Sequence, residues 1–134
     1  MRTIKHLMIG AAAMFIIAAG TAAVPAQRPT RITFTRGTSS KVVTGTLSSY
    51  KQKRVFVIRV KAGQEMRIEN VGRNYISIWV KGPARSGYEQ DMAADCHSNI
   101  EVSPTAEGNY TLTVQECEKA DRWRGTFRFK VTVR

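Results

Sequence analysis

The side chains best suited to recognition lie in short arginine- and aromatic-rich stretches. Arg122-Trp123-Arg124 places two guanidinium groups around an indole, and Arg85-Ser86-Gly87-Tyr88 places a phenol after small residues. Arginine can offer a carboxylate two parallel charge-assisted hydrogen bonds. Arginine, tryptophan and tyrosine are also enriched among residues that dominate protein–protein binding energy. Arg85, Tyr88, Arg122, Trp123 and Arg124, together with Tyr50, are therefore the predicted partner-binding residues.

The aromatic residues among these candidates also have ordinary structural interpretations, which the sequence leaves open. Trp123 can fold back onto a sheet within a solvated turn, and Tyr50 can be an aromatic residue at a sheet edge. Trp79 lies on the outward side of its predicted strand. There it either offers a stacking surface for a sugar or packs beneath a loop, and we favour packing.

Catalysis finds little support in the sequence. His97 is the only histidine beyond position 6, and no strained serine turn or activated cysteine accompanies it. A glycosidase needs two carboxylates, and Glu89, Asp91, Asp95 and Glu101 lie in or beside one long loop. A domain of this size leaves little room for a groove, so we expect these acids to balance basic charge or to bind calcium weakly. We therefore predict a protein that is not an enzyme, with no cofactor and no dedicated metal site.

The first 26 residues have the three-part pattern of a secretory signal peptide. A basic start is followed by an uncharged, alanine-rich run at residues 7–23 and by small residues up to Ala26. We expect cleavage after Ala26, with Ala23 as the alternative position. A retained membrane anchor is the other interpretation, but about 17 apolar residues are at the lower limit for crossing a bilayer. The predicted product is one exported domain, residues 27–134, that does not span the membrane.

Cys96 and Cys117 are the only cysteines. An even number of cysteines in a small exported domain indicates a disulfide, which would restrict the unfolded chain by roughly 3 kcal/mol. Free thiols and a zinc site are the alternatives. Zinc would need more ligands, because His97 directly follows Cys96 and leaves poor spacing for chelation. We therefore favour the disulfide.

The exported domain is strongly basic. Without Arg2 and Lys5 of the signal peptide, 19 basic residues stand against 10 acidic ones, a net charge of +9. Such a charge attracts polyanions but carries no information about the fold. Because the protein is predicted to be exported, we expect no nucleic-acid partner. Anionic polymers of the cell envelope and acidic protein surfaces are the polyanions that remain.

Apolar and polar residues alternate with a period of two along most of the exported chain, which predicts short half-buried strands. The predicted strands are residues 30–35, 40–47, 55–60, 65–70, 75–81, 109–114 and 126–134, with a weaker one at 98–102. Glycine and proline turn signals, such as Gly82-Pro83 and Arg124-Gly125, separate these runs. No window has the 3.6-residue period of a helix.

Strands with one apolar face bury that face only by packing as two facing sheets. We therefore predict an all-β, single-domain antiparallel β-sandwich, jelly-roll-like, with seven or eight strands and one disulfide. Residues 81–97 lack a strand pattern and are expected to form a long loop. Gly37 and Gly45 are expected at a turn or at a close approach between strands.

Several segments occur in an order that resembles a known family. Residues 34–40 (FTRGTSS), 45–50 (GTLSSY) and 60–66 (VKAGQEM) are similar to F-x-x-G-x-S-S, G-x-I/L-x-G-Y and A-x-x-G-Q segments. Gly82-Pro83 and residues 103–114 (SPTAEGNYTLTV) are similar to a G-P turn and an L-P-A-S-G-x-Y-x-L-x-V strand. These motifs occur together in the periplasmic inhibitors of g-type lysozyme, and the resemblance runs from about Thr30 to the end of the chain.

The resemblance implies a β-sandwich whose loops at one end enter the substrate groove of a lysozyme and cover its catalytic carboxylate. It implies a periplasmic location, a lysozyme, g-type first, as the protein partner, and no reaction. That family's C-terminal hairpin carries an Ala-Arg pair, and Ala120-Asp121-Arg122 lies in the matching place with one residue between. Two of the segments also resemble the pre-peptidase C-terminal domain, a secreted binding module. The alternative function is therefore binding of anionic envelope glycans or lipopolysaccharide.

Overall fold

The computed structural model describes Gly20 and residues 27–134. Apart from Gly20, the predicted signal peptide and its cleavage position lie outside the described residues. Within the described part of the chain, no helix has the length and apolar character needed to cross a membrane.

The described residues form eight strands in two four-stranded sheets. The strands are β1 (Thr30–Arg31), β2 (Ser40–Leu47), β3 (Arg54–Val60), β4 (Met66–Asn70), β5 (Ile76–Lys81), β6 (Asn99–Val102), β7 (Gly108–Glu116) and β8 (Gly125–Val133). One sheet has the order β1-β3-β7-β5 and the other β2-β8-β4-β6. From β2 onward, each strand lies in the sheet opposite to the strand before it. This is the jelly-roll-like sandwich that the sequence predicts. All pairings among strands β2 to β8 are antiparallel.

The core lies between the two sheets and is built by the predicted alternation. Along β5, Ile76 and Ile78 are fully buried whereas Trp79 is exposed. Every second residue of β3, β4, β7 and β8 is buried in the same way. The rings of Phe56 and Phe129 meet edge to face at a centroid distance of 5.5 Å, which joins the two sheets at the centre.

The first strand is shorter than predicted. Only Thr30 and Arg31 are in strand conformation, and they pair in parallel with β3 rather than antiparallel. The amide of Ile32 still donates to the carbonyl of Val57 at 2.8 Å. Beyond this point the chain turns at Gly37, whose φ of 82° suits glycine, and crosses to the other sheet to begin β2. The alternation of Ile32 and Phe34 therefore reflects burial against the core more than strand pairing.

The long loop between β5 and β6 covers the free edge of β5. The side-chain amide of Gln90 accepts a hydrogen bond from the Val80 amide and donates one to the Ile78 carbonyl, both at 2.8 Å. The Ile78 amide donates to the His97 carbonyl at 2.7 Å. A side chain thus satisfies edge groups that a neighbouring strand would otherwise take, which protects the edge from pairing with other chains.

The Cys96–Cys117 disulfide is present, as predicted, with the two Cα atoms 5.4 Å apart. It ties the end of the β5–β6 loop to the residue that follows β7. Free thiols and a cysteine zinc site are therefore excluded for this pair.

The loops of the sandwich fall at two ends. The loops at residues 48–53, 71–75 and 117–124 lie at one end of the sandwich. Strands β2 and β7 end there, and strands β5 and β8 begin there. We call this the arginine end. The loops at residues 32–39, 61–65 and 103–107, and the start of the β5–β6 loop, lie at the opposite end.

Candidate functional site

A cleft of about 400 Å³ lies at the arginine end, between the β2–β3 loop and the β7–β8 loop. Its lining residues are Ser49, Tyr50, Glu116, Arg122, Trp123 and Arg124. The cleft thus brings together the predicted contact residues Tyr50, Arg122, Trp123 and Arg124. They come from two loops that are distant in sequence.

Strand register explains why these loops meet. β2 pairs with β8 in antiparallel fashion, and Leu47 at the end of β2 lies opposite Gly125 at the start of β8. The chain that leaves β2 and the chain that enters β8 are therefore neighbours. Tyr50 follows Leu47 by three positions and Trp123 precedes Gly125 by two, so both reach the same side of the sandwich.

Arg122 is held over the ring of Tyr50. The guanidinium carbon lies 4.5 Å from the ring centroid, which is the geometry of a cation–π contact. Tyr50 is half-buried and Arg122 is exposed. None of the salt bridges found among the described residues involves Arg122 or Arg124. The cleft therefore presents two arginine side chains that no salt bridge among the described residues engages.

Trp123 anchors the β7–β8 loop to the sandwich. Its backbone amide donates to Glu116 Oε1 at 2.6 Å, and its indole Nε1 donates to the Tyr75 carbonyl at 2.9 Å. The half-buried indole also packs against the hydrophobic core. The alternative interpretation of Trp123, a residue folded back onto the sheet, is thus what the structure has. The two arginines beside it remain exposed.

Glu116 is a lining residue that the sequence analysis missed. It ends β7, is 1% exposed and has the inward orientation of Leu112 and Val114. Its Oε1 accepts the Trp123 amide, whereas its Oε2 has no hydrogen-bond partner among the described residues. The alternation of β7 could have identified Glu116 as buried, because a strand that ends at Glu116 rather than Val114 puts this carboxylate on the buried face.

Arg85 and Tyr88 do not join the cleft. They lie in the first part of the β5–β6 loop, which begins at the opposite end of the sandwich. Arg85 is exposed and has a left-handed φ of 64°, unusual for a residue with a side chain. Tyr88 is half-buried against Tyr110 at a centroid distance of 5.9 Å. Burial, with a smaller effect of Tyr110, raises the pKa of the Tyr88 phenol above its usual 10.0.

Trp79 stands on the outer face of the β1-β3-β7-β5 sheet, away from the cleft. It is 40% exposed, and its ring meets His97 of the β5–β6 loop edge to face at 5.4 Å. The tryptophan is therefore in contact with the loop along one edge and open to solvent elsewhere. The acids of that loop, Glu89, Asp91 and Asp95, belong to no cluster of three or more potential metal ligands in the described part of the chain.

Comparison with known proteins shows the fold. No protein-family profile matches the sequence, and no curated protein matches it. The g-type lysozyme inhibitor PliG of Aeromonas hydrophila superposes with a TM-score of 0.62 at 19% identity, covering 79% of this chain and 96% of that chain. PliG of Salmonella Typhimurium gives a TM-score of 0.59 at 15% identity, covering 81% of this chain and 100% of that one. A mutant of PliG from Escherichia coli gives 0.57 at 20% identity, with coverages of 81% and 100%.

Proposed function

We propose that this protein is a periplasmic inhibitor of lysozyme, with g-type enzymes as its first target. The loops of the arginine end enter the enzyme's substrate groove and block it. Support comes from a fold shared with solved structures described as periplasmic inhibitors of g-type lysozyme. The observation that carries the proposal is the placement of Arg122 over Tyr50, in a cleft shared with Trp123 and Arg124.

The chemistry of the cleft suits an acidic groove. A lysozyme groove holds catalytic carboxylate, and a guanidinium group can donate two parallel hydrogen bonds to such a group. The contact with Tyr50 holds Arg122 before binding, so less side-chain freedom is lost in the complex. The inhibitor thus acts by occupying the groove, and it carries out no reaction.

The basic charge of the protein affects the rate of association with lysozyme more than it affects the contact within the complex. A net charge of +9 repels a basic lysozyme at long range and slows the encounter. Salt screens such repulsion over about 8 Å at physiological ionic strength. Raising the salt concentration should therefore leave the rate of association with a basic lysozyme unchanged or increase it.

A lysis assay tests the proposal. Purified protein is titrated against g-type, c-type and i-type lysozymes acting on bacterial cell walls. We expect stoichiometric loss of g-type activity at micromolar protein, with a weaker effect or none on the other enzymes. Full activity of all three lysozymes at these concentrations would refute the inhibitor function.

A second candidate function is binding of an anionic envelope polymer, such as lipopolysaccharide or an acidic glycan. The observation that favours it is the set of basic side chains on the arginine-end loops, which are Lys51, Lys53, Arg73, Lys119, Arg122 and Arg124. No salt bridge among the described residues involves any of them.

The response to salt distinguishes the two functions. Polymer binding through exposed charges should weaken steeply as salt rises, in contrast to lysozyme binding. Co-sedimentation with peptidoglycan or lipopolysaccharide at low and physiological salt measures this effect. Binding that is absent, or that does not change with salt, would contradict the polymer function.

A further inference from the structure

Glu116 places a carboxylate inside the sandwich, beneath the β7–β8 loop. The residues that share its buried face on β7 are Tyr110, Leu112 and Val114, so an apolar side chain would suit this position. Burying a carboxylate is unfavourable unless hydrogen bonds compensate for the lost water. Glu116 is nevertheless 1% exposed, and only one of its two oxygens has a hydrogen-bond partner among the described residues.

Among the described residues, the one hydrogen bond of this carboxylate is with the β7–β8 loop. Oε1 accepts the backbone amide of Trp123 at 2.6 Å, a short distance typical of a charge-assisted hydrogen bond. The amide nitrogen of Trp123 belongs to the peptide group that joins it to Arg122. Fixing this peptide group therefore fixes the backbone from which the Arg122 side chain extends.

The other contacts of the loop anchor different groups. The Trp123 indole donates to the Tyr75 carbonyl, and the Ala120 amide donates to the Cys117 carbonyl. The indole lies at the end of a rotatable side chain, and the turn at Ala120 precedes the arginines. Among these contacts only that of Glu116 holds the main chain beside Arg122.

We propose that Glu116 is the positioning residue of the cleft, which keeps Arg122 above Tyr50 through the Trp123 amide. Glu116 does not contact the partner. It acts through the orientation of the Arg122–Trp123 peptide group. Its importance for inhibition rests on the proposed function, whereas its effect on the loop is a property of the free protein.

Three variants separate the hydrogen bond from packing and from charge. Glu116→Met fills a similar volume but has no oxygen acceptor. Glu116→Gln keeps an oxygen acceptor and removes the negative charge. Glu118→Gln is the matched control. Glu118 is an exposed acid of the adjoining β7–β8 loop and forms no salt bridge found among the described residues.

The free protein gives the first test, by nuclear magnetic resonance. Two signals are followed: hydrogen exchange of the Trp123 amide, and the ring-current shift that Tyr50 imposes on the Arg122 δ-protons. We expect Glu116→Met to reduce Trp123 amide protection at least tenfold and to remove the shift. Glu116→Gln should retain both the amide protection and the ring-current shift, and Glu118→Gln should leave them unchanged. Unchanged signals in Glu116→Met, or their loss in Glu116→Gln with the fold intact, would overturn the proposal.

Lysozyme affinity, measured by calorimetry, gives the second test. We expect Glu116→Met to weaken binding at least tenfold, and Glu116→Gln to remain within about threefold of the unmodified protein. Full affinity of Glu116→Met would overturn the role of Glu116 in inhibition. If the unmodified protein binds no lysozyme, the proposed function fails, while the measurements on the free protein still decide the role of Glu116.

Discussion

Among the glycines of the described residues, Gly45 leaves the least space for an added Cβ atom. It lies in the middle of β2, opposite Phe127 of β8, and both residues face the core. A Cβ atom on residue 45 would lie 2.8 Å from Cε1 and 3.1 Å from Cε2 of the Phe127 ring, and closer still to Cζ. Real Cβ atoms essentially never come closer than 3.0 Å to another heavy atom, so Gly45→Ala must displace the ring.

The ring has little space into which it can move. Phe127 is completely buried, stacked on Phe129 at 6.2 Å and in edge contact with Phe56 at 6.2 Å. Overpacking a filled core costs about 1–3 kcal/mol. Replacing glycine by alanine within regular structure returns about 0.5–1 kcal/mol through lower chain entropy. We therefore expect Gly45→Ala to lower the free energy of unfolding by about 1–2 kcal/mol.

Equilibrium urea denaturation measures this change. Thr44→Ala, at the exposed neighbouring position, is the control and should change stability by less than about 0.5 kcal/mol. Phe127→Leu should relieve the clash, so the double-mutant cycle with Gly45→Ala should show a favourable coupling of about 1 kcal/mol. A Gly45→Ala protein as stable as the unmodified protein, or additive effects in the cycle, would refute the close approach.

The remaining predictions concern the disulfide and the opposite end of the sandwich. Replacing Cys96 and Cys117 by alanine should cost about 3 kcal/mol in urea denaturation, because the unfolded chain gains freedom; a loss below about 1 kcal/mol would contradict this. Arg85→Gly should stabilise the protein by about 0.5–1 kcal/mol, since glycine tolerates the left-handed φ; destabilisation would show that the arginine side chain contributes more than the strain costs. The raised pKa of Tyr88 means that the folded state favours the neutral phenol. The stability that this preference contributes is present below pH 10.0 and is lost as pH rises through the pKa of Tyr88 in the folded protein. Tyr88→Phe should therefore reduce the loss of stability at alkaline pH, as measured by thermal unfolding, and an identical pH profile would contradict the effect.

The sandwich could be predicted because each core strand has a clear alternation of apolar residues. In β8, Phe127, Phe129 and Val131 are buried and Arg128 is exposed, as the sequence pattern indicates. A period of two assigns these side chains to opposite faces of a strand. Turn residues then set the strand ends to within one or two positions for most strands.

Alternation identifies burial but not hydrogen-bond partners, which is why two features were missed. Ile32 is buried and Phe34 half-buried without belonging to a strand, so the first strand was predicted too long. The edge of β5 is satisfied by the side chain of Gln90, which has no periodic pattern. Contacts of this kind depend on the path of a loop in three dimensions.

The composition of the site was predictable, but its assembly was not. Arginine beside tryptophan marks Arg122 as a candidate contact residue from local sequence alone. Its contact with Tyr50 depends on the pairing of β2 with β8, which no local pattern reveals. The same topology separates Arg85 and Tyr88 from the cleft, although their residue types are equally suitable.

The most direct test of the inhibitor function is the inhibition constant of Arg122→Ala against g-type lysozyme. Arg36→Ala is the matched control, because it removes the same charge from an exposed turn at the opposite end. Removing one partner of a buried charged hydrogen bond costs at least about 2 kcal/mol, which corresponds to about thirtyfold. The proposed mechanism predicts inhibition weakened by about thirtyfold or more for Arg122→Ala and little changed for Arg36→Ala. Equal inhibition by both variants would contradict it.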